Sequence, residues 1–309
     1  MKKLLIISIV IFYVHFAQSQ TTEAEATLKT QTADTTAGWN YGGTINTTLS
    51  QVSLTNWSAG GQNSISVNGL LSLFTRYKKG NMLWENYLDL AYGTVKQGND
   101  KDSDWMKSDD KFDFTSKYGQ KASKSWYYAG LVNLKTQMTA GYNYPNKENP
   151  ISKFLAPGYL LGAIGMDYKP NDNFTAFLSP LTGKVTIVND QTLADAGAFG
   201  VEPGEKIRSE FGGYARFFVK YEIMKNVSLQ SKLDLFSNYL ENPQNIDINW
   251  ETLISLKVNK YISATIMTHL IYDDDIDIVV EEATETSPAK LGPRVQFKEV
   301  LGVGFSYKF

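Results

Sequence analysis

Alternation is the feature that most constrains this chain. From Trp39 onward, apolar and polar side chains repeat with period two. Val227, Leu229, Leu233, Leu235 and Tyr239 share one parity; Ser228, Gln230, Lys232, Asp234 and Asn238 share the other. The next run repeats the pattern, with Ile246, Ile248, Trp250, Ile254, Leu256 and Val258 against Asp247, Asn249, Glu251, Ser255 and Lys257. A strand sends successive side chains to opposite faces, so each run is a strand with one apolar and one polar face.

Runs of this kind fall near 42–52, 62–77, 82–96, 110–120, 125–139, 157–169, 173–187, 207–222, 226–240, 245–259, 261–273 and 296–309. That is about twelve strands, each a little longer than the ~9–11 residues that cross a membrane tilted. No helical-period stretch separates them. The gaps alternate in length. Lys78-Lys79-Gly80-Asn81, the region around Lys121–Lys124, Pro170-Asn171-Asp172, Ile223–Lys225 and Asn259-Lys260 are short and carry turn formers or charge. The intervening gaps 97–109, 140–156, 188–206 and 274–295 are long, while 53–61 and 241–244 are shorter. Short turns at one end and long loops at the other are the signature of a bacterial barrel. In lipid every backbone polar group must be paired, so such a sheet has to close. The fold expected is therefore all-β: a transmembrane antiparallel up-and-down β-barrel of about twelve strands, with short periplasmic turns and long extracellular loops.

The N-terminus carries an address. Lys2 and Lys3 precede the apolar stretch Leu4 to Phe16, and Ala17-Gln18-Ser19 supplies small residues for a cut after Ser19. Residues 1–19 are expected to be a secretory signal peptide, 20–38 a flexible periplasmic leader rich in Thr, Ala and Glu, and 39–309 the barrel. The other end agrees. Leu301, Val303, Phe305, Tyr307 and Phe309 alternate, and Gly304, Tyr307 and Phe309 match the terminal strand signal read by the barrel-assembly machinery. Gly302 departs from the polar residue usual two positions before that glycine.

Composition narrows the function. Thirty Lys+Arg stand against 32 Asp+Glu, so no basic field exists to bind nucleic acid. There are no cysteines, which removes disulfides, thiolate metal sites, thiol nucleophiles and a lipid anchor on cysteine. The abundant Tyr and Phe read as interfacial girdles.

The face opposite the apolar one is expected to line the lumen. It carries Arg76, Glu85, Asp89, Lys111, Asp113, Lys117, Lys135, Arg216, Lys220, Lys232, Asp234, Asp247, Glu251 and Lys257. Interleaved signs can close the lumen with ion pairs or line a narrow pore. Strand number does not choose between them, since eight strands are filled by side chains and sixteen leave a channel.

His269 is the histidine of the mature chain. Its parity, with Thr265 and Ser263, turns it inward, away from lipid, where a lipid-hydrolysing Ser–His pair would have to lie. No catalytic residue is expected. Asp273-Asp274-Asp275, with Asp277, Glu281 and Glu282, could bind Ca²⁺, but the spacing is no known calcium loop and a charge run is usually a solvated face. No metal or cofactor is implied. Ser179-Pro180-Leu181-Thr182-Gly183-Lys184 lacks the glycine spacing and helix of a phosphate loop, and Pro180 within a strand predicts a bulge or a local break in pairing.

Asn56-Trp57 with Gly60-Gly61, Lys107-Ser108-Asp109-Asp110, Thr136-Gln137 and Ser179 to Lys184 together resemble an uncharacterised family of Gram-negative outer-membrane β-barrel proteins. The resemblance spans about Trp39 to Phe309. It implies fold and location, with no activity and no catalytic residues.

The expectation is an outer-membrane, porin-like barrel of the Gram-negative envelope, acting as a channel or transport barrel for small polar or lipidic solutes. Two rivals stay open: a docking or assembly partner with a packed lumen, and, more remotely, a lipid-modifying enzyme. The partners expected are outer-membrane lipids, the barrel-assembly machinery through the strand ending in Phe309, and an envelope protein met by the outer loops.

Overall fold

The structure is a computed structural model, and it describes residues 37–54, 62–98, 104–144, 146–171, 173–259, 262–276, 278–281 and 290–309. The expected signal peptide, most of the leader and the Asn56–Gly61 motif lie outside them. In chain order the strands are β1 (Gly38–Val52), β2 (Ser64–Lys79), β3 (Met82–Gln97), β4 (Met106–Lys121), β5 (Trp126–Thr136), β6 (Gly141–Tyr142), β7 (Pro150–Ser152), β8 (Gly158–Asn171), β9 (Phe174–Ile187), β10 (Ile207–Met224), β11 (Val227–Asn238), β12 (Ile246–Lys257), β13 (Ile262–Tyr272), β14 (Ile278–Glu281), β15 (Lys290–Gly292) and β16 (Gln296–Lys308). One short helix, α1 (Gln191–Asp195), follows β9.

Twelve of these strands form one closed antiparallel barrel in the order β1-β2-β3-β4-β5-β8-β9-β10-β11-β12-β13-β16, and β16 returns to β1. The seam is short, with Thr44 opposite Lys308 and Thr47 opposite Phe305. β6–β7 and β14–β15 are small hairpins inside the long loops. Both barrel termini sit at the short-turn end, because Gly38 pairs with Lys78 beside the Gly80 turn. Asn226, at φ 67°, makes the β10–β11 turn in the left-handed region that Asn tolerates. No helix among the described residues is long and apolar enough to cross a membrane.

The outer face is apolar. Leu49 and Ile164 are about two-thirds exposed, at 64% and 67%, and Leu181 and Val303 are exposed with them. Such a surface is stable only against lipid, so this is a transmembrane barrel of the outer-membrane type. Its polar atoms are internally matched: Trp84 Nε1 donates to Ser116 Oγ at 3.0 Å and Trp250 Nε1 to Ser231 Oγ at 2.8 Å. Aromatics gather toward each rim. Trp39 packs on Tyr77 and Trp84 near the short-turn end, and Phe211 on Tyr239 toward the long loops.

The structure corrects several boundaries. β4 begins at Met106, so Lys107-Ser108-Asp109-Asp110 lies on a strand and does not close a loop. β5 ends at Thr136, three residues before the expected 139. The gap 188–206 holds α1, although no helical period separated the strands. Pro180 does mark a bulge. Ser179 and Thr182 stand opposite Tyr214 and Gly212, three β9 residues spanning two of β10, and the same slip recurs against β8. Gly165 faces this bulge, where a Cβ would meet the Leu178 carbonyl oxygen at 2.0 Å.

Candidate functional site

The site is the lumen. At the short-turn end five charged side chains from β2, β3, β4 and β8 form one network. Arg76 Nε contacts Glu85 Oε1 at 3.2 Å. Lys169 lies 3.0 Å from Glu85 and 3.2 Å from Asp167, and Lys117 lies 2.9 Å from Asp167 and 3.6 Å from Glu85. Tyr87 donates to Glu85 at 3.1 Å. Three cations thus share two carboxylates, both almost fully buried. Charges so far from water persist only when paired.

A second layer crosses the middle. Arg216 grips Asp234 with a two-pronged contact, Nε to Oδ1 at 2.6 Å and Nη2 to Oδ2 at 3.0 Å. Tyr214 donates to the same carboxylate at 2.9 Å. Lys135 reaches Asp234 from β5, four strands away around the wall, at 3.8 Å. Lys232 pairs with Glu251 at 2.6 Å, and Asn133 donates to Asp113 at 2.7 Å. The inner wall is not wholly polar. Ala129, Leu131, Ala163, Phe177, Tyr214 and Phe236 form an apolar cluster inside the barrel, joined by Leu161.

Above this layer opens a cavity of about 520 Å³, lined by Lys111, Lys135, Tyr159, Tyr214, Arg216, Glu251 and His269 among others. A smaller space of about 70 Å³ lies below it, and Asp113 and Arg216 belong to the walls of both. The charged layer therefore stands between an outer vestibule and the short-turn network.

The vestibule mouth is acidic but already holds cations. Lys184 lies 2.8 Å from Asp247, 3.3 Å from Glu210 and 3.5 Å from Asp273. Arg208 contacts Asp275 and lies 3.6 Å from Glu210. Asp247, Asp273 and Asp275 bring carboxylate oxygens close enough to share an ion. The Lys184 ammonium sits among this cluster, so the protein supplies its own counter-charge there.

The loops around the mouth are built structures. Asp110 Oδ1 accepts from the Met138 N–H at 2.7 Å, and its Oδ2 accepts from the Thr139 N–H at 2.8 Å and from Lys107 at 3.0 Å. Gln137 donates to the Lys153 carbonyl at 3.0 Å, and Thr136 Oγ1 to that of Pro157 at 2.8 Å. Lys107 and Asp110 therefore hold Met138 and Thr139, while Thr136 and Gln137 next to them hold the 153–157 segment. The loop at 188–206 has its own small core of Ala156, Val188, Ala194 and Val201. Asp190 caps α1 by accepting from the Leu193 N–H at 3.0 Å. The hydrogen bond from Lys153, then that from Leu193, holds its carboxyl below the usual carboxylate range.

Arg76, Glu85, Asp89, Lys232 and Asp234 are buried on the inner face, while Lys135, Arg216, Lys220 and Glu251 are half-buried there. Lys257 is exposed at the rim. His269 Nε2 and Asn249 Oδ1 are 3.0 Å apart inside the barrel. Sequence reasoning missed Asp167, Lys169, Arg208 and Glu210, and assigned Lys184 to no lumen role. The signal was present for the first two, since Ile164, Met166 and Tyr168 alternate with them.

Residues 49–142 match the family described as Protein of unknown function (DUF3078). The DUF3078 match runs from β1 to β6 and holds Arg76, Glu85 and Lys117, together with Asp110 and its partners Met138 and Thr139. No curated protein matches the chain. Among solved structures it is similar to an outer membrane channel from Pseudomonas putida F1, with a TM-score of 0.40 and 13% identity over 89% of this chain and 96% of that chain. It is also similar to the translocator domain of the autotransporter NalP from Neisseria meningitidis, with a TM-score of 0.34 and 8% identity over 91% and 92%.

Proposed function

We propose that this barrel resides in the outer membrane and passes small polar or lipidic solutes through its lumen. The observation that carries the reading is the vestibule of about 520 Å³, which falls within the range of small-ligand sites and combines an apolar wall with charges of both signs. Leu161, Tyr214 and Phe236 would take an apolar portion, and Lys135 and Glu251 polar groups. Conductance of the purified protein in a planar lipid bilayer tests it. Discrete, salt-dependent steps support the channel; a folded, silent barrel rejects it.

The second reading is a docking partner with a packed lumen. The short-turn network favours it, because five paired side chains fill part of the cross-section where a passage would run. In this reading the built loops at 137–157 and 188–206 present the docking surface to an envelope protein.

We further propose that the chain is not an enzyme. His269 supports this, since it faces the lumen beside Asn249 rather than the lipid. The partners proposed are outer-membrane lipids around the apolar belt and the assembly machinery at the strand ending in Phe309.

A further inference from the structure

The barrel is closed unequally. Pairing of β1 with β16 runs from Thr44–Lys308 to Thr47–Phe305, and Gly43 with Phe309 completes it toward the short-turn end. By contrast, β12 pairs with β13 from Ile248–Tyr272 to Lys257–Ser263, and β1 pairs with β2 along its whole length from Gly38 to Val52. Toward the long loops β1 therefore runs on through Thr48 to Val52, and β16 reaches back through Gly304 to Gln296, with no ladder between them among the described residues. The two edges still lie close, since a Cβ on Gly304 would meet Thr48 Oγ1 at 2.7 Å. Backbone at membrane depth stays outside a ladder only where protein or a water-filled cavity covers it. The lumen is that cavity. His269, Ile271 and Gln296 line the vestibule, and Ile271 pairs with Gln296 where β16 begins. β16 thus has the vestibule on its inner face and lipid on its outer face, where Phe297 and Val303 are exposed.

We propose that the long-loop half of the β1–β16 seam opens as a side door, through which a molecule carrying an acyl chain passes between the vestibule and the bilayer. The proposal rests on the reading of the vestibule as a solute site and names the class of solute. Three observations select this seam and this solute. The first is the cost of opening. No ladder has to break for the outer half to part, while the paired hydrogen bonds of Gly43 and Phe309 hold the short-turn end as a hinge. The second is position. The vestibule reaches β16 at Gln296, so parting the strands joins that cavity to lipid and to nothing else. The third is chemistry. The door faces hydrocarbon, which a charged solute enters only at a large desolvation cost. An acyl chain meets no such cost, and inside the vestibule Leu161, Phe236 and Ile271 receive it while Lys135 and Glu251 meet its polar head.

The chain has no cysteine, so Thr48→Cys with Gly304→Cys adds one thiol pair, placed to staple the seam just beyond Thr47–Phe305. The full-length double variant is refolded into phosphatidylcholine vesicles that contain a phosphatidylcholine with a diazirine on its acyl chain. It is irradiated in the oxidised and in the reduced form. Mass spectrometry then compares label on Leu161, Phe236 and Ile271, in the lumen, with label on Phe297 and Val303, on the outer face. The expected result is at least ten-fold more lumen label in the reduced form, with outer-face label unchanged. Equal lumen label in both forms, or none in the reduced form, overturns the proposal. Should the double variant fail to fold or to bridge, the unaltered barrel decides: lipid label on the three lumen residues supports the door, and its absence overturns it. The two readings fail separately. A silent barrel with a lipid-labelled lumen rejects aqueous conduction and keeps the door, whereas a conducting barrel with an unlabelled lumen rejects the door alone.

Discussion

Phe309 exchanges two backbone hydrogen bonds with Gly43, each 3.0 Å, and with this pair the barrel closes. The Phe309 ring lies over the glycine, where a Cβ would meet its Cζ at 2.6 Å and Leu73 Cδ2 at 2.7 Å. The seam is the shortest pairing in the barrel, so each of its contacts counts.

Gly43→Val should therefore lift the Phe309 ring from its seat. Overpacking of this kind costs about 1–3 kcal/mol. The expected outcome is a lower temperature for loss of the folded band on a heat-modifiable gel. Deleting Phe309 removes both hydrogen bonds and should slow assembly into vesicles. Unchanged melting and assembly in both variants would show that the seam is held elsewhere.

The short-turn network makes a second prediction. Glu85→Gln leaves Arg76, Lys117 and Lys169 with Asp167 as the remaining carboxylate of the network. Removing one partner from a buried ionic set typically costs roughly 3–5 kcal/mol. Urea unfolding in lipid vesicles should show this loss. Adding Lys169→Met should restore part of it, because it removes a stranded cation. A double variant no more stable than Glu85→Gln would contradict the coupling.

The lipid face gives a depth-dependent prediction. Ile164 is among the most exposed apolar residues, mid-strand on β8. Ile164→Arg should cost roughly 2–4 kcal/mol, whereas Tyr221→Arg, near the end of β10, should cost about 0–1 kcal/mol. Equal costs at the two positions would place the membrane belt elsewhere.

Asp110 anchors the mouth. Asp110→Ala removes acceptors for the Met138 and Thr139 N–H groups and frees Lys107 from this pairing. Protease added from the long-loop side should cut within 137–157 about ten times faster while the barrel stays intact. An unchanged cutting rate would mean the hairpin and Gln137 suffice to hold the loop.

Much of this was legible in the chain itself. The run expected at 245–259 is β12 at Ile246–Lys257, and that at 173–187 is β9 at Phe174–Ile187. Alternation is a local property, and it appears wherever one face meets lipid and the other does not. Lys107-Ser108-Asp109-Asp110 misled for a physical reason. Four polar residues read as a solvated loop, yet Ser108 is bulged out against Gly93 and Asp110 is satisfied by backbone from 138–139. Their partners lie about thirty residues away, beyond what a local pattern contains.

The sequence by itself determined the strands, their faces, the alternation of short and long connections, and closure of the sheet, because a chain with one apolar face per strand has nowhere in lipid to leave an open edge. The tertiary structure alone decided which lumen charges meet. Lys135 finds Asp234 across three intervening strands and Lys184 finds Asp247 across two, and those distances depend on the curvature and stagger of the closed barrel, which no run of residues encodes locally.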